Sequence, residues 1–261
     1  MLKNKIVFIS GASSGIGAAC ATSFAKAGAA LLLCARRTHA LNTLANQLRS
    51  DYGIEVHSFE LDVRDHFNLK KKFEALPTLW KSVDILINNA GVALGLETLQ
   101  EGDTEDWETM IDTNIKGLLY LTHAVLPSMI LRNTGHIINI GSIAGHQVYP
   151  KGAVYCATKH AVKAISQGLR LDLFGTKVRI STVDPGMVET NLSMVRFKGD
   201  AQRAAAVYEG VEALSADDIA DAIIYCATRP LHVNVNEIII MPTQQVSATM
   251  TYRDIKDKKN S

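Results

Sequence analysis

Residues 5–17 read KIVFISGASSGIG, and the order of residue types in this stretch decides the fold. Residues 5–10 have the length and apolar content of a buried strand. Gly11, Gly15 and Gly17 follow at once, and residues 16–27 form an alanine-rich run with helical apolar spacing and Gly28 where a C-terminal cap belongs. In such a strand–turn–helix unit the glycines let the backbone bend tightly and approach a phosphate. The helix N-terminus adds unpaired N–H groups and the positive end of a dipole. The unit reads as a dinucleotide site. Its spacing is GxxxGxG rather than GxGxxG, so the flanking strand and helix carry the reading together with the glycines. The alternative is a glycine-rich turn without a ligand.

Outward from this unit, short apolar runs alternate with longer amphipathic stretches. AALLLCA at 29–35 supplies a second strand, and EVHSFEL, DILINN, HIINIG, VRISTV and NEIIIM supply five more. Alternation of this kind forces parallel strands with helices on both faces, and ligands then collect at the carboxyl ends of the strands. The expectation is a single α/β domain over residues 1–251, a Rossmann-type doubly wound parallel sheet of about seven strands. A substrate-covering segment is expected near 187–212, and a frayed polar tail from 252 to 261. The second strand runs into Arg36 and Arg37 with no Asp or Glu nearby. An acid there would bind the adenosine ribose hydroxyls of NAD, whereas an arginine fork suits a 2′-phosphate, so the cofactor is read as NADP. Two surface charges at a strand end are the other reading.

Tyr155 and Lys159, in YCATK, lie four residues apart and hence on one face of a helix. A tyrosine ionises near pH ~10, so a phenol meant to exchange a proton at neutral pH needs a cation beside it. Tyr252 and Lys256 repeat the spacing in the charged tail, but Ile239 stands where the first pair has an upstream hydroxyl, Ser142. Only the first pair has the makings of a proton-transfer site.

Composition narrows the alternatives. A net charge of +1 with acids and bases interspersed gives no footprint for nucleic acid, and no stretch approaches a membrane span. MLKNKIVFIS enters the first strand without the apolar segment of a signal peptide, which makes the cytoplasm the default location. The four cysteines are scattered and read as buried free thiols, and the eight histidines show no metal-ligand spacing.

Taken in order, the glycine-rich turn, Asn88-Asn89-Ala90-Gly91, Asn114 in DTN, Ser142 and Tyr155-x-x-x-Lys159 resemble the short-chain dehydrogenase/reductase family over nearly the whole chain. Ser10 departs from that pattern, in which a Thr usually precedes the first glycine, but it keeps the hydroxyl. The resemblance implies a catalytic tetrad of Asn114, Ser142, Tyr155 and Lys159, with Tyr155 as proton donor or acceptor and Lys159 also holding the nicotinamide ribose. Ser142 would orient the substrate oxygen, and Asn114 would fix a water linking Lys159 to solvent. It implies cofactor contacts from Ser13, Ser14 and Ile16 in the turn, from Asp62 and Val63 near the adenine, and from Asn88, Ala90 and Gly91 along the cleft. Pro185, Gly186, Val188 and Thr190 would face the nicotinamide, although Thr190 is equally readable as a helix N-cap.

Segments 105–120, 135–145, 195–200 and 232–242 resemble the branch of NADP-dependent 3-hydroxy acid dehydrogenases that act on serine, allo-threonine and 3-hydroxyisobutyrate-like substrates. A small hydroxy acid needs a cation for its carboxylate, and VRFKGD offers Arg196, the preferred anchor, and Lys198. The branch further implies a homotetramer, in which the helix from about Ala153 to Leu173 would bury a second face against a partner. A helix buried all round within one subunit would look similar. A reductase of larger apolar ketones or dicarbonyls, and a non-catalytic NADP-binding regulatory protein, are the rival readings.

Overall fold

A computed structural model describes residues 2–254. Seven strands form one parallel sheet: β1 (Ile6–Ser10), β2 (Ala30–Ala35), β3 (Val56–Glu60), β4 (Ile85–Asn88), β5 (Gly135–Ile140), β6 (Val178–Pro185) and β7 (Glu237–Ile240). Their order is β3-β2-β1-β4-β5-β6-β7. The strand order reverses between β1 and β4, the point at which an open parallel sheet leaves a crevice at its carboxyl edge.

Both faces of the sheet are covered, and β1 displays the consequence. Val7 and Ile9 enter one apolar cluster with Phe24, Leu41 and Ile223, while Ile6 and Phe8 enter the other with Leu121, Val125 and Met129. A strand buried on both sides needs a continuous apolar run rather than an alternating one. The first face is built by helices α1 (Gly15–Lys26) and α2 (Thr38–Tyr52), and the second by α3 (His66–Glu74) and the short α4 (Thr78–Lys81).

Helix α5 (Thr104–Ile111) runs into a single π-helical stretch at Asp112–Gly117 before α6 (Leu118–Leu131) begins. Next come α7 (Ala153–Asp172), the short α8 (Leu192–Arg196) and α9 (Ala201–Ala206), and α10 (Ala216–Thr228), which packs on the first face. The long α7 buries Cys156, Lys159, Val162 and Ser166 but exposes Ala157, His160, Ala164 and Leu171. It is therefore not enclosed within one subunit.

The tail departs from expectation. Residues 252–254 are tied down: Tyr252 N–H donates to the Gln244 carbonyl at 2.8 Å, Asp254 N–H to the Gly210 carbonyl at 2.8 Å, and Arg253 to the Val207 carbonyl at 3.0 Å. Polar composition suggested fraying, but these groups find carbonyls in the segment after α9, at Val207 and Gly210, and after β7, at Gln244. The remainder of the expected tail, with Lys256, lies outside the described residues.

Candidate active site

The glycine turn after β1 is shaped by what it must approach. Gly11 and Gly15 have φ of +65° and +54°, which L side chains rarely adopt. A Cβ on Gly17 would stand 2.5 Å from both the Gly11 carbonyl oxygen and the Asn89 amide nitrogen, so α1 can start this close to the turn only with glycine there. Ser10 holds the turn from beneath, its hydroxyl accepting from Asn89 N–H at 3.1 Å and Ala90 N–H at 3.0 Å.

The turn forms one end of a cleft of about 340 Å³ along the carboxyl edge of the sheet. Gly11, Ser13, Ser14, Gly15 and Ile16 line it at this end, and Arg36, Arg37, Asp62 and Val63 line the side wall. The Arg37 guanidinium donates to Ser13 Oγ at 3.1 Å and also bonds Ser14 Oγ. Asp62 is not free: Arg64 pairs with it at 2.6 Å. Burial pushes the Asp62 carboxyl up, but the Arg64 hydrogen bonds outweigh this and hold it below the usual carboxylate range. An exposed cation fork beside two hydroxyls and a glycine backbone with no Cβ in the way fits the phosphates of a dinucleotide.

Ala90 and Gly91 continue the lining, but Asn88 does not. Side chains alternate along a strand. The Asn88 amide faces Thr122 at 3.0 Å and Asn139 at 2.9 Å inside the protein, whereas Asn89 faces the cleft and donates to the Ser10 carbonyl at 2.8 Å. The side chain expected in the cleft wall, Asn88, thus lies inside the protein instead. Pro185, Gly186, Val188 and Thr190 close the far end, joined by Thr113, Gly141 and Leu192, which sequence reading missed. Thr190 does not occupy the cap position of α8, which belongs to Asn191; its hydroxyl accepts from Leu192 N–H at 3.3 Å.

Ser142, Tyr155 and Lys159 converge in the middle of the cleft. Ser142 caps a short 3-10 turn, accepting from Ala144 N–H at 3.1 Å, and its hydroxyl donates to the Pro185 carbonyl at 3.4 Å. The ammonium of Lys159 donates to the Ile140 carbonyl at 2.9 Å and lies 5.9 Å from the Tyr155 ring centre. Burial lowers Lys159 to about 8, partly opposed by the negative charge of Asp184. Burial also pushes the Tyr155 phenol well above its ordinary value, which a hydrogen bond from Ser142 and the charge of Arg196 moderate. Asn114 sits on the π-helical turn. Its side chain accepts from Val92 N–H at 2.8 Å and donates to the Val92 carbonyl at 2.8 Å and Thr158 Oγ1 at 3.0 Å. A Cβ on Gly91 would lie 3.3 Å from the Asn114 oxygen and 3.8 Å from Lys159 Nζ, so this glycine separates the two.

Beyond Tyr155 a second cavity of about 210 Å³ is lined by Leu94, Leu99, Trp107, Met110, Tyr155 and Arg196. Arg196 is fixed by the Gly95 carbonyl at 2.9 Å and the Tyr149 hydroxyl at 3.1 Å, with its guanidinium carbon 5.9 Å from the Tyr155 ring centre. Tyr149 went unnoticed in the sequence because nothing in its local pattern points across to α8. Lys198, by contrast, pairs with Asp103 at 3.2 Å and Asp106 at 3.1 Å.

The sequence profile of the short chain dehydrogenase family matches residues 5–201. The chain is 46% identical over 247 residues to the NADP-dependent 3-hydroxy acid dehydrogenase YdfG of Salmonella typhi, covering 94% of this chain and 98% of that protein. It is 46% identical over 251 residues to sulfoacetaldehyde reductase 2 of Chromohalobacter salexigens, covering 95% and 99%. Among solved structures, the closed form of serine dehydrogenase complexed with NADP+ superposes with a TM-score of 0.89 at 43% identity, covering 96% of this chain and all of that one.

Proposed function

The chain belongs to the short chain dehydrogenase family, and on that premise we propose that this oxidoreductase interconverts the alcohol and carbonyl forms of a small 3-hydroxy acid with NADP. The observation that carries the substrate reading is Arg196, a tethered guanidinium 5.9 Å from the ring of the proton-transferring Tyr155. A cation at that range serves a substrate whose anionic group and reacting carbon are only a few bonds apart. Carboxylates such as serine, allo-threonine and 3-hydroxyisobutyrate meet this condition, and a short sulfonate would too. The runner-up is a larger apolar ketone or dicarbonyl, which Leu94, Leu99, Trp107 and Met110 could contact, although Glu97, Lys151 and Arg196 line the same cavity.

Bound along the cleft, NADP supplies the two-electron hydride exchange. Arg37, with Arg36 beside it, would hold the 2′-phosphate, and the glycine turn the pyrophosphate. Tyr155 gives its proton to the oxygen that gains negative charge during reduction and takes it back from the alcohol during oxidation. Ser142 donates a hydrogen bond to the same oxygen and orients it. Lys159 holds the nicotinamide ribose and stabilises the phenolate. Asn114 fixes the Val92 backbone and a water leading from Lys159 toward solvent.

Initial rates of NADP reduction across serine, allo-threonine, 3-hydroxyisobutyrate, 3-hydroxypropionate, isethionate, a secondary alcohol and a steroid alcohol test the assignment. Turnover of the short anions supports it. Turnover confined to the bulky alcohols replaces it with the runner-up. We also assign a homotetramer, supported by exposed Leu119, Ile130 and Leu131 on α6 and by Leu171 and Phe174 around the end of α7. A monomeric sedimentation coefficient would refute that. A cytoplasmic location is supported by four free, buried cysteines and is checked by fractionation.

A further inference from the structure

Behind Ser142, four titratable side chains from four segments meet. His146 comes from the turn that Ser142 caps, Lys163 from α7, Asp184 from β6 and Glu237 from β7. His146 Nε2 lies 3.0 Å from Asp184 Oδ2 and 3.5 Å from Glu237 Oε1. Lys163 Nζ lies 2.7 Å from His146 Nδ1 and 3.5 Å from Glu237 Oε1. The ligand atoms of His146, Asp184 and Glu237 all fall within 4.8 Å of one another, a spacing that a metal ion would accept. The Lys163 ammonium already stands among them as the cation. An ammonium can only donate, so His146 Nδ1 accepts and the ring proton resides on Nε2, which donates to Asp184. Lys163 thereby fixes the tautomer, and the ring fixes the carboxylate.

Asp184 carries this network to the site. It is 3% exposed, and the Thr182 hydroxyl donates to Oδ2 at 3.2 Å. A Cβ on Gly141 would fall 1.6 Å from Asp184 Oδ1, so the carboxylate fills the side-chain space of the residue preceding Ser142. The turn beyond is equally close to the catalytic helix, because a Cβ on Gly145 would lie 2.7 Å from the Lys159 carbonyl oxygen. The charge of Asp184 supports the Lys159 ammonium against its burial.

We propose that Asp184, His146 and Lys163 form a positioning relay, in which Asp184 seats the Ser142 turn and sets a negative charge behind Lys159 while His146 and Lys163 hold that carboxylate in place. The charged groups facing it are Lys159, Lys163 and Arg170 from α7 and Glu237 from β7, with the neutral His146 ring between them. The relay depends on oxidoreductase chemistry at this site and not on which alcohol is the substrate.

Titration of Lys159, followed by NMR in the full chain labelled with ¹³C-lysine and assigned against Lys159→Met, reads the relay without a substrate. In Asp184→Asn the Lys159 midpoint is expected to fall by about half a pH unit or more, at least a roughly threefold change in the ammonium-to-amine ratio. The kcat on whichever alcohol is turned over fastest should fall roughly tenfold, while NADPH affinity, read by fluorescence, stays within about twofold. His146→Gln keeps one donor and one acceptor and should stay near wild type in both readouts, whereas His146→Leu should follow Asp184→Asn. An unmoved midpoint in Asp184→Asn, or Gln and Leu variants that behave alike, overturns the relay. Should Asp184→Asn fail to fold, the His146 pair decides by the same measurements. Silence of the wild type on every alcohol would sink the substrate reading and leave the titration to decide this one.

Discussion

At Tyr155 burial and charge act in opposite senses. Burial keeps the phenol protonated, which suits a donor in the reductive direction, while Lys159 is pulled down to about 8 and so loses its charge above that value. The expected sign for reduction follows: kcat/KM of the free enzyme holds below that value and declines as pH rises through about 8, because the amine no longer stabilises a phenolate. A pH–rate profile checks this. Tyr155→Phe should retain NADPH binding and lose turnover by about 10²-fold or more, since only the proton-transferring oxygen is removed. Arg37→Ala should weaken NADP by about tenfold or more and leave NAD nearly unchanged, because a charge-assisted pair to the 2′-phosphate is worth about 1.5–3 kcal/mol; paired titrations of both cofactors measure it. Arg196→Ala should raise KM for a hydroxy acid and leave NADPH affinity unchanged, and an unaltered KM would remove the anchor.

At the scale of the element, glycines and one irregular turn determine where side chains arrive. The π-helical stretch at Asp112–Gly117 is what aims Asn114 at Val92, and such single turns concentrate at functional sites. DTN is visible in the sequence, but the extra winding is not; Gly117 at its end packs beneath Val63, where a Cβ would lie 2.6 Å from a methyl group. Gly17→Ala tests the close approach of α1. Its Cβ meets a backbone carbonyl that cannot rotate away, so NADPH binding should be lost while the sheet survives, as read by fluorescence and circular dichroism. The strand–turn–helix opening, the seven apolar runs and the Tyr155–Lys159 spacing were all legible because each rests on local periodicity. Which of Asn88 and Asn89 faces the cleft was not, because two identical neighbours at a strand end leave the face undefined until β4 is seated beside β1.

For the molecule as a whole, the buried centre of the sheet sets stability. His136 on β5 lies beside Arg179 on β6, and burial, with the arginine charge added, depresses its imidazole to about 3. The unfolded chain takes up a proton near 6.5 that the folded one refuses, so this contribution is intact above 6.5 and is lost as pH falls. Between pH 6.5 and 5 the wild type should lose about 1.6 kcal/mol more than His136→Gln, measured by denaturant unfolding of each at both values.

The sequence alone determined the architecture, the family resemblance and the order of the tetrad residues, because hydrophobic period and motif spacing are properties of contiguous chain. Only the tertiary structure decided that Arg196 bonds the Gly95 carbonyl and Tyr149 while Lys198 pairs with Asp103 and Asp106, that residues 252–254 are bound, and that His146, Lys163, Asp184 and Glu237 meet behind Ser142. These are contacts between segments far apart in sequence, and their partners are chosen by how helices and loops pack over the sheet, which no local pattern encodes.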